Sequence, residues 1–310
     1  MNAPTRPVLR WHGGKWKLAP WVISHMPRHR VYVEPFGGAA SVLLRKERSF
    51  IEIWNDLDGD LFNLFRVLQE PPAAQQLVAA LSVTPYSRAE FALSFDAAEN
   101  PIERARRMIV RSFMGFGSNA CATTGRGSNT TGFRARSEHP RKQPSHEWGT
   151  YADALPLIIE RIRGVVIEGR DAIRVMRDRD GVDVVHYVDP PYLPETRERG
   201  SSRDRPGRYR HEMDAPGHAE LIDALTGLAG MVVLSGYPSK LYDTALPDWR
   251  RVTTKAHADG ARERTEVLWL NPVCAAALDR ERAGHGTPLF PSSLECLNDG
   301  RSNSQAQALT

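Results

Sequence analysis

The sequence predicts an α/β protein built on an open, mostly parallel, Rossmann-like sheet with helices on both faces and a mainly helical and loop segment inserted into it. Three observations lead there. Short β-rich runs alternate with longer stretches of helical apolar spacing in both the first quarter and the second half of the chain. Residues 184–188 read as an apolar strand of the kind buried on both faces of a parallel sheet. Between 115 and 149 the periodicity disappears into Gly, Ser, Thr and Arg, which marks an insertion rather than a further βα unit.

In chain order, Val31-Tyr32-Val33 is a strand and residues 39–48 are expected to be a helix. Residues 50–54 form a second strand, and 57–68 carry apolar residues at i, i+3 and i+4, the spacing of a helix. After Pro71-Pro72, short helices are expected over 73–81 and 88–95, and a basic one over 104–113. Regular alternation returns with a helix at 155–162, a strand at 165–168, a helix at 172–177 and the strand at 184–188. A helix over 218–228, a strand over 231–235 and a short helix over 239–246 follow, and strands at 250–256 and 266–270 close the pattern. The sheet domain is therefore expected to comprise 1–72 and 150–275, with an insertion at 73–149 and a polar, disordered tail at 276–310.

The 310 residues include 41% hydrophobic and 25% charged, ordinary for a globule with a real core. No apolar run approaches the ~18 residues of a membrane span, and no secretory leader is read ahead of the first motif. Three scattered cysteines, Cys121, Cys274 and Cys296, lack metal-type spacing and form an odd set, so neither a disulfide scaffold nor a metal site is expected. A reducing cytoplasm is the default.

The net charge of +4 is unevenly spread. Residues 101–145 hold nine Lys/Arg against two Glu, and 194–212 hold six Arg against four acids, leaving a body of −5. Two basic, Gly/Ser-rich segments on a mildly acidic body suit a polyanionic partner held outside the core, and equally suit two solvated loops.

Three segments fall at strand ends, where open α/β sheets put their ligands. Val33-Glu34-Pro35-Phe36-Gly37-Gly38 lets backbone approach a ligand without an intervening Cβ, although a tight structural turn also explains it. Asn55-Asp56-Leu57-Asp58 sets an acid 18 residues after the second glycine, close to the spacing at which a carboxylate takes a ribose diol. Asp56 or Asp58 would also suit a helix N-cap. With no GxxxxGK[ST] pattern, a nucleoside without phosphates fits better than a dinucleotide or ATP. The third segment is Asp189-Pro190-Pro191-Tyr192. Two prolines stiffen the chain and remove two N–H donors, leaving the Asp189 carboxylate and the Pro190 carbonyl as rigid acceptors for an NH₂ group. Tyr192 adds a flat face for stacking a base, worth roughly 1–3 kcal/mol.

These three motifs in this order, preceded by Arg10-Trp11-His12-Gly13-Gly14-Lys15, resemble the Dam-like (D12 class) DNA adenine-N6 methyltransferases. The resemblance covers roughly residues 8–72 and 155–272. It implies S-adenosylmethionine as methyl donor, no metal, and a flipped-out adenine of duplex DNA as acceptor. By it, Trp11, Lys15, Phe36, Gly38, Asp56 and Asp189 would line the donor site, and Asp171 would contact the donor's adenine, although an N-cap explains Asp171 equally well. Asp189, Pro190 and Tyr192 would be catalytic. The insertion would be the target-recognition region, with Arg104, Arg107, Arg111, Arg126, Arg134 and Arg136 on DNA. Arg104, Arg106, Arg107 and Arg111 are spaced to share one helix facing phosphates, and Phe113, Phe116 and Phe133 would be wedges or core fillers. The basic segment 194–210 would close over the base. A cytoplasmic monomer of prokaryotic or phage origin is expected, acting alone or beside a cognate restriction enzyme.

Other readings keep part of this pattern. Enzymes acting on adenine in RNA share the chemistry and change the partner. Cytosine-N4 enzymes more often carry Ser in place of Asp189. A degenerate DNA-binding module would have lost Asp189 or the glycine pair, and both are present.

Overall fold

The computed structural model describes residues 3–117, 132–136, 143–193, 211–257 and 263–284. Seven strands form one sheet: β1 (Val31–Glu34), β2 (Ile51–Asn55), β3 (Val166–Glu168), β4 (Val184–Val188), β5 (Met231–Gly236), β6 (Arg250–His257) and β7 (Glu263–Leu270). Their order is β3-β2-β1-β4-β5-β7-β6. β1 pairs in parallel with both β2 and β4, β2 with β3, and β4 with β5, whereas β7 runs antiparallel to β5 and β6. β4 and β5 are buried at every position, as their apolar runs require. The chain leaves β1 toward β2 and β3, then returns to β4 on the other side. That reversal opens a crevice beyond the carboxyl ends of β1 and β4.

The helices are α1 (Ala19–Ile23), α2 (Gly59–Gln69), α3 (Pro71–Ser82), α4 (Arg88–Leu93), α5 (Pro101–Met114), α6 (Pro144–Gly149), α7 (Tyr151–Ile162), α8 (Ala172–Asp178), α9 (Ala215–Thr226), α10 (Lys240–Ala245) and α11 (Pro272–Arg282). Local chemistry fixes several starts. The Asp58 carboxylate accepts from the Asp60 and Leu61 amides at the head of α2. Pro71 and Pro72 open α3, where a missing N–H costs nothing.

Residues 39–48 depart from expectation. They form successive turns rather than a regular helix, although Leu44 N still bonds Ala40 O at 2.9 Å. The cause lies at the entry: Gly38 (φ +48°) and Ala40 (φ +53°) are left-handed, which a right-handed helix cannot contain. Ala39, Ala40, Val42, Leu43 and Leu44 are nonetheless buried. A second correction concerns the tail. Helix α11 continues to Arg282 and buries Cys274, Ala275, Ala277 and Leu278, so the chain is ordered past 275, and residues 285–310 lie outside the described ones. Helix α6 occupies part of the stretch that lacked periodicity.

The helices of the insertion share the main core. One apolar cluster joins Tyr32 and Trp54 of the sheet to Leu64, Leu77, Phe91, Met108, Trp148 and Leu155. The two chain segments flanking the insertion are also clamped by charge. Glu52 on β2 is buried, bonded by Lys46 Nζ at 2.7 Å and by Arg161 Nη1 of α7 at 2.6 Å. Burial alone would raise the Glu52 carboxyl, but these two cations hold it below its usual range. Arg161 also donates to the Leu43 carbonyl.

Candidate active site

The crevice contains a cavity of about 480 Å³. Its floor is the end of β1, with Glu34, Pro35, Phe36, Gly37 and Gly38; Asp56 and Asp58 come from beyond β2, and Tyr187, Asp189 and Pro191 from β4 and the turn after it. Trp11, Gly14 and Lys15 close one side, and His211 to Asp214, leading into α9, close another.

The glycine pair is set by two indoles. A Cβ on Gly37 would lie 2.0 Å from Trp54 Nε1, and one on Gly38 would lie 3.0 Å from Trp11 Nε1, at a φ that already disfavours side chains. The turn is locked from β2: Gly37 N donates to Asn55 O at 2.7 Å, and Asn55 Nδ2 bonds the Pro35 and Arg170 carbonyls at 2.9 Å each. Asn55 is thus the clip joining the three strand ends.

Asp56 and Asp58 are held differently. Asp58 caps α2. Asp56 faces the cavity, its Oδ2 accepting from Gly38 N at 2.9 Å and its Oδ1 from Asp58 N at 2.8 Å. Burial pushes its carboxyl up to about 6, against the pull of those two amides. Each oxygen keeps a further lone pair for a ligand hydroxyl.

Asp189 is the other acid of the cavity. Its Oδ2 pairs with Lys15 Nζ at 3.0 Å. Its Oδ1 is buried and accepts no hydrogen bond from the described residues. An unmet buried acceptor is costly, so its presence at a cavity wall points to a ligand donor. Lys15 Nζ also bonds the Gly13 carbonyl at 3.0 Å and stands 4.7 Å from the centre of the Tyr192 ring. Glu34, quoted in the motif but given no role by the sequence, is 2% exposed and bonded by Tyr32 Oη and Leu43 N. Burial raises its carboxyl to about 8, and the nearby Asp189 adds to the rise.

Other expected residues sit elsewhere. Asp171 caps α8 through Arg174 N at 2.9 Å and is exposed; its neighbour Ala172, not Asp171, reaches the cavity. Tyr192 is 9% exposed and does not line the cavity; its hydroxyl turns inward toward Ser235 and Glu266. Pro191 lines the cavity where Pro190 does not.

The arginines of α5 are met by acids and carbonyls. Arg111 is 4% exposed, bonds the Ser94 carbonyl and lies 3.8 Å from Asp60. Arg104 pairs with Asp60 at 2.5 Å, Arg107 with Glu103 at 2.6 Å, and Arg106 with both Glu90 and Glu103. The cations of this helix are thus answered by acids from α2, α4 and its own first turn; Arg111 is buried away from any DNA-facing surface, whereas Arg104 keeps an exposed side chain. Arg134 pairs with Glu147 at 2.8 Å, whereas Arg136 is exposed. Phe113 and Phe133 join the core, and Phe116 stands 72% exposed beside the Gly115–Phe133 bridge. Arg126 and the segment 194–210 lie outside the described residues. No cluster of metal-ligating side chains occurs among the described residues.

Comparison with known families decides what this geometry belongs to. The family described as D12 class N6 adenine-specific DNA methyltransferase matches residues 11–205. The chain belongs to that family. Its relatives include the DNA adenine methylase of Escherichia coli K12, 27% identical over 194 residues, which is 61% of this chain and 66% of that enzyme. The DNA adenine methylase of Vibrio cholerae is 39% identical over 71 residues (22% of this chain, 24% of that enzyme). That of Serratia marcescens is 36% identical over 64 residues (21% and 23%). The chain thus spans just under two thirds of the E. coli enzyme's length. As a D12-class chain, its family match begins at Trp11, the first cavity wall, and ends past the Asp189-Pro190-Pro191-Tyr192 corner.

Proposed function

We propose that this D12-class chain transfers a methyl group from S-adenosylmethionine to the exocyclic N6 of an adenine in duplex DNA. One observation carries the reading: Asp189 Oδ1, a buried acceptor without a partner among the described residues, lies on the wall of a nucleoside-sized cavity. The cavity suits the donor. Asp56 is available to the ribose hydroxyls, Trp11 and Phe36 supply apolar walls, and the Cβ-free surface of Gly37 and Gly38 allows close approach. When bound, the donor supplies an electrophilic sulfonium methyl.

The chain's residues do the rest. Asp189 Oδ1 and the Pro190 carbonyl accept the two N6 hydrogens, which draws the nitrogen lone pair out of the purine ring and orients it for in-line attack. Transfer of that methyl would leave N6 with a surplus proton, which Asp189 or water would take. Lys15 holds the other Asp189 oxygen, so the carboxylate keeps one orientation. Orientation and aligned acceptors account for most of the gain. A base inside a duplex cannot reach such a site, so the adenine is flipped out at a cost of a few kcal/mol.

On the DNA side, exposed Arg136 and exposed Phe116 at the insertion's edge are the described groups best placed to meet the duplex. A cytoplasmic monomer, alone or beside a restriction enzyme, belongs to the same reading; the bacterial relatives support the compartment. The test is methyl transfer to duplex DNA and to structured RNA in parallel, with the product nucleoside identified by mass spectrometry. N6-methyladenine in DNA, absent with Asp189→Ala in protein whose circular dichroism spectrum is that of the folded wild type, is the expected result. Product in RNA alone, or near-normal turnover by Asp189→Ala, overturns it.

A further inference from the structure

Glu266 lies on β7, beyond the stretch matched by the family and outside every sequence motif. Strand alternation puts it on the same face as the buried Leu268 and Leu270, at 7% exposure. An acid at such a position needs partners, and it has one in the active-site corner: Tyr192 Oη donates to Glu266 Oε2 at 3.0 Å. Ser235 Oγ, on the adjoining β5, lies 3.2 Å from the same hydroxyl. Tyr237, packed edge-on at 4.5 Å between ring centres, limits the ring laterally. Over the Tyr192 ring sits the Lys15 ammonium, which in turn pairs with Asp189. The chain of contacts therefore runs Glu266, Tyr192, Lys15, Asp189. Burial raises the Glu266 carboxyl, and Lys15 and the Tyr192 bond pull against that rise.

We propose that Glu266 is a positioning residue: by anchoring the Tyr192 hydroxyl it fixes the ring against which Lys15 is held, and through Lys15 the direction of the Asp189 carboxylate. This rests on the methyl-transfer reading above. It gives Tyr192 a role from beneath the site, as a strut between the β5–β7 edge and the Lys15–Asp189 pair.

The test compares wild type, Glu266→Gln, which keeps an acceptor oxygen, Glu266→Met, which keeps volume but no acceptor, Tyr192→Phe, and the Tyr192→Phe/Glu266→Met pair. Methylation by wild type and its loss in Asp189→Ala establish the underlying reading first, so failure there is distinct from failure here. Glu266→Met and Tyr192→Phe should each lower kcat about tenfold, the scale of one buried hydrogen bond, with KM for DNA unchanged. Glu266→Gln should recover most of the loss, and the double variant should be no slower than Tyr192→Phe alone. Without any methyl donor, protein carrying ¹³Cζ-labelled tyrosine should show the resonance that Tyr192→Phe deletes shifted in Glu266→Met. Wild-type kcat in Tyr192→Phe, additive losses in the double variant, or an unmoved Tyr192 resonance would each overturn the proposal. If Glu266→Met does not fold, Tyr192→Phe and Glu266→Gln still decide it.

Discussion

Adding one methyl group at either of two adjacent glycines should produce two different failures. At Gly37, a Cβ would lie 2.0, 2.4 and 2.6 Å from Nε1, Cδ1 and Cε2 of Trp54. Ordinary contacts between such atoms are about 3.5–4.0 Å, so the indole or the strand end must move by more than 1 Å, on the order of the overlap itself. The indole has nowhere to go. Trp54 is 1% exposed on β2 and packed against Phe65 with the ring centres 4.3 Å apart and the planes tilted by 33°. Overpacking of this kind costs ~3 kcal/mol or more, and Gly37→Ala should lose that much in urea denaturation. At Gly38 the nearest atoms are Nε1 and Cδ1 of Trp11 at 3.0 and 3.1 Å. Trp11 is only partly buried at the cavity wall and can yield, so the stability cost reduces mainly to the left-handed φ of +48°, about 1–2 kcal/mol. The displaced indole narrows the cavity. Gly38→Ala should therefore weaken calorimetric binding of S-adenosylmethionine about tenfold or more while keeping a folded protein. A Gly37→Ala protein as stable as wild type, or a Gly38→Ala protein with unchanged donor affinity, would refute the reasoning.

Four further outcomes follow from the charges. Because the Glu34 carboxyl is raised to about 8, its contribution to stability is present below the unfolded carboxylate range and lost as pH climbs through 8. Glu34→Gln should thus gain on wild type by at least about 2 kcal/mol between pH 5 and pH 9; a pH-independent difference in denaturation midpoints would contradict this. Asp56, raised to about 6, protonates as pH falls, so donor affinity should weaken between pH 7 and pH 5 and the dependence should flatten in Asp56→Asn; identical calorimetric profiles would count against it. Arg111→Leu should cost about 1–3 kcal/mol of stability because it leaves the Ser94 carbonyl without its guanidinium donor and takes from Asp60 one of its two arginines, Arg104 remaining. Arg136→Ala should leave stability alone and lower the salt slope of DNA binding by about 1; the reverse pattern would return α5 to the DNA face.

The crevice is legible in the sequence because its parts are punctuated. Prolines after an apolar strand, a glycine pair after another and an acid at the next strand tip are all local signals, and the sheet brings Asp56 and Asp189 to one cavity. What stayed hidden depends on partners distant in the chain. The α5 arginines look like phosphate ligands until Asp60 and Glu90 are folded against them. Glu266 looks like the polar half of an alternating strand, and only the β5–β7 pairing turns it inward. Helix α11 buries small residues, Cys274, Ala275 and Ala277, which carry little apolar signal. The turns at 39–48 carry the apolar spacing of a helix, a pattern that does not report the left-handed backbone at Ala40.

The clamp of Lys46 and Arg161 on Glu52 has a consequence for how such a chain diversifies. Both segments flanking the insertion meet at the same carboxylate, while the helices between them share one apolar cluster with Tyr32 and Trp54 of the sheet, so a change there is felt by the core that frames the crevice. Variation is therefore best tolerated by the fold at exposed positions such as Phe116 and Arg136, and least where the inserted helices meet the sheet.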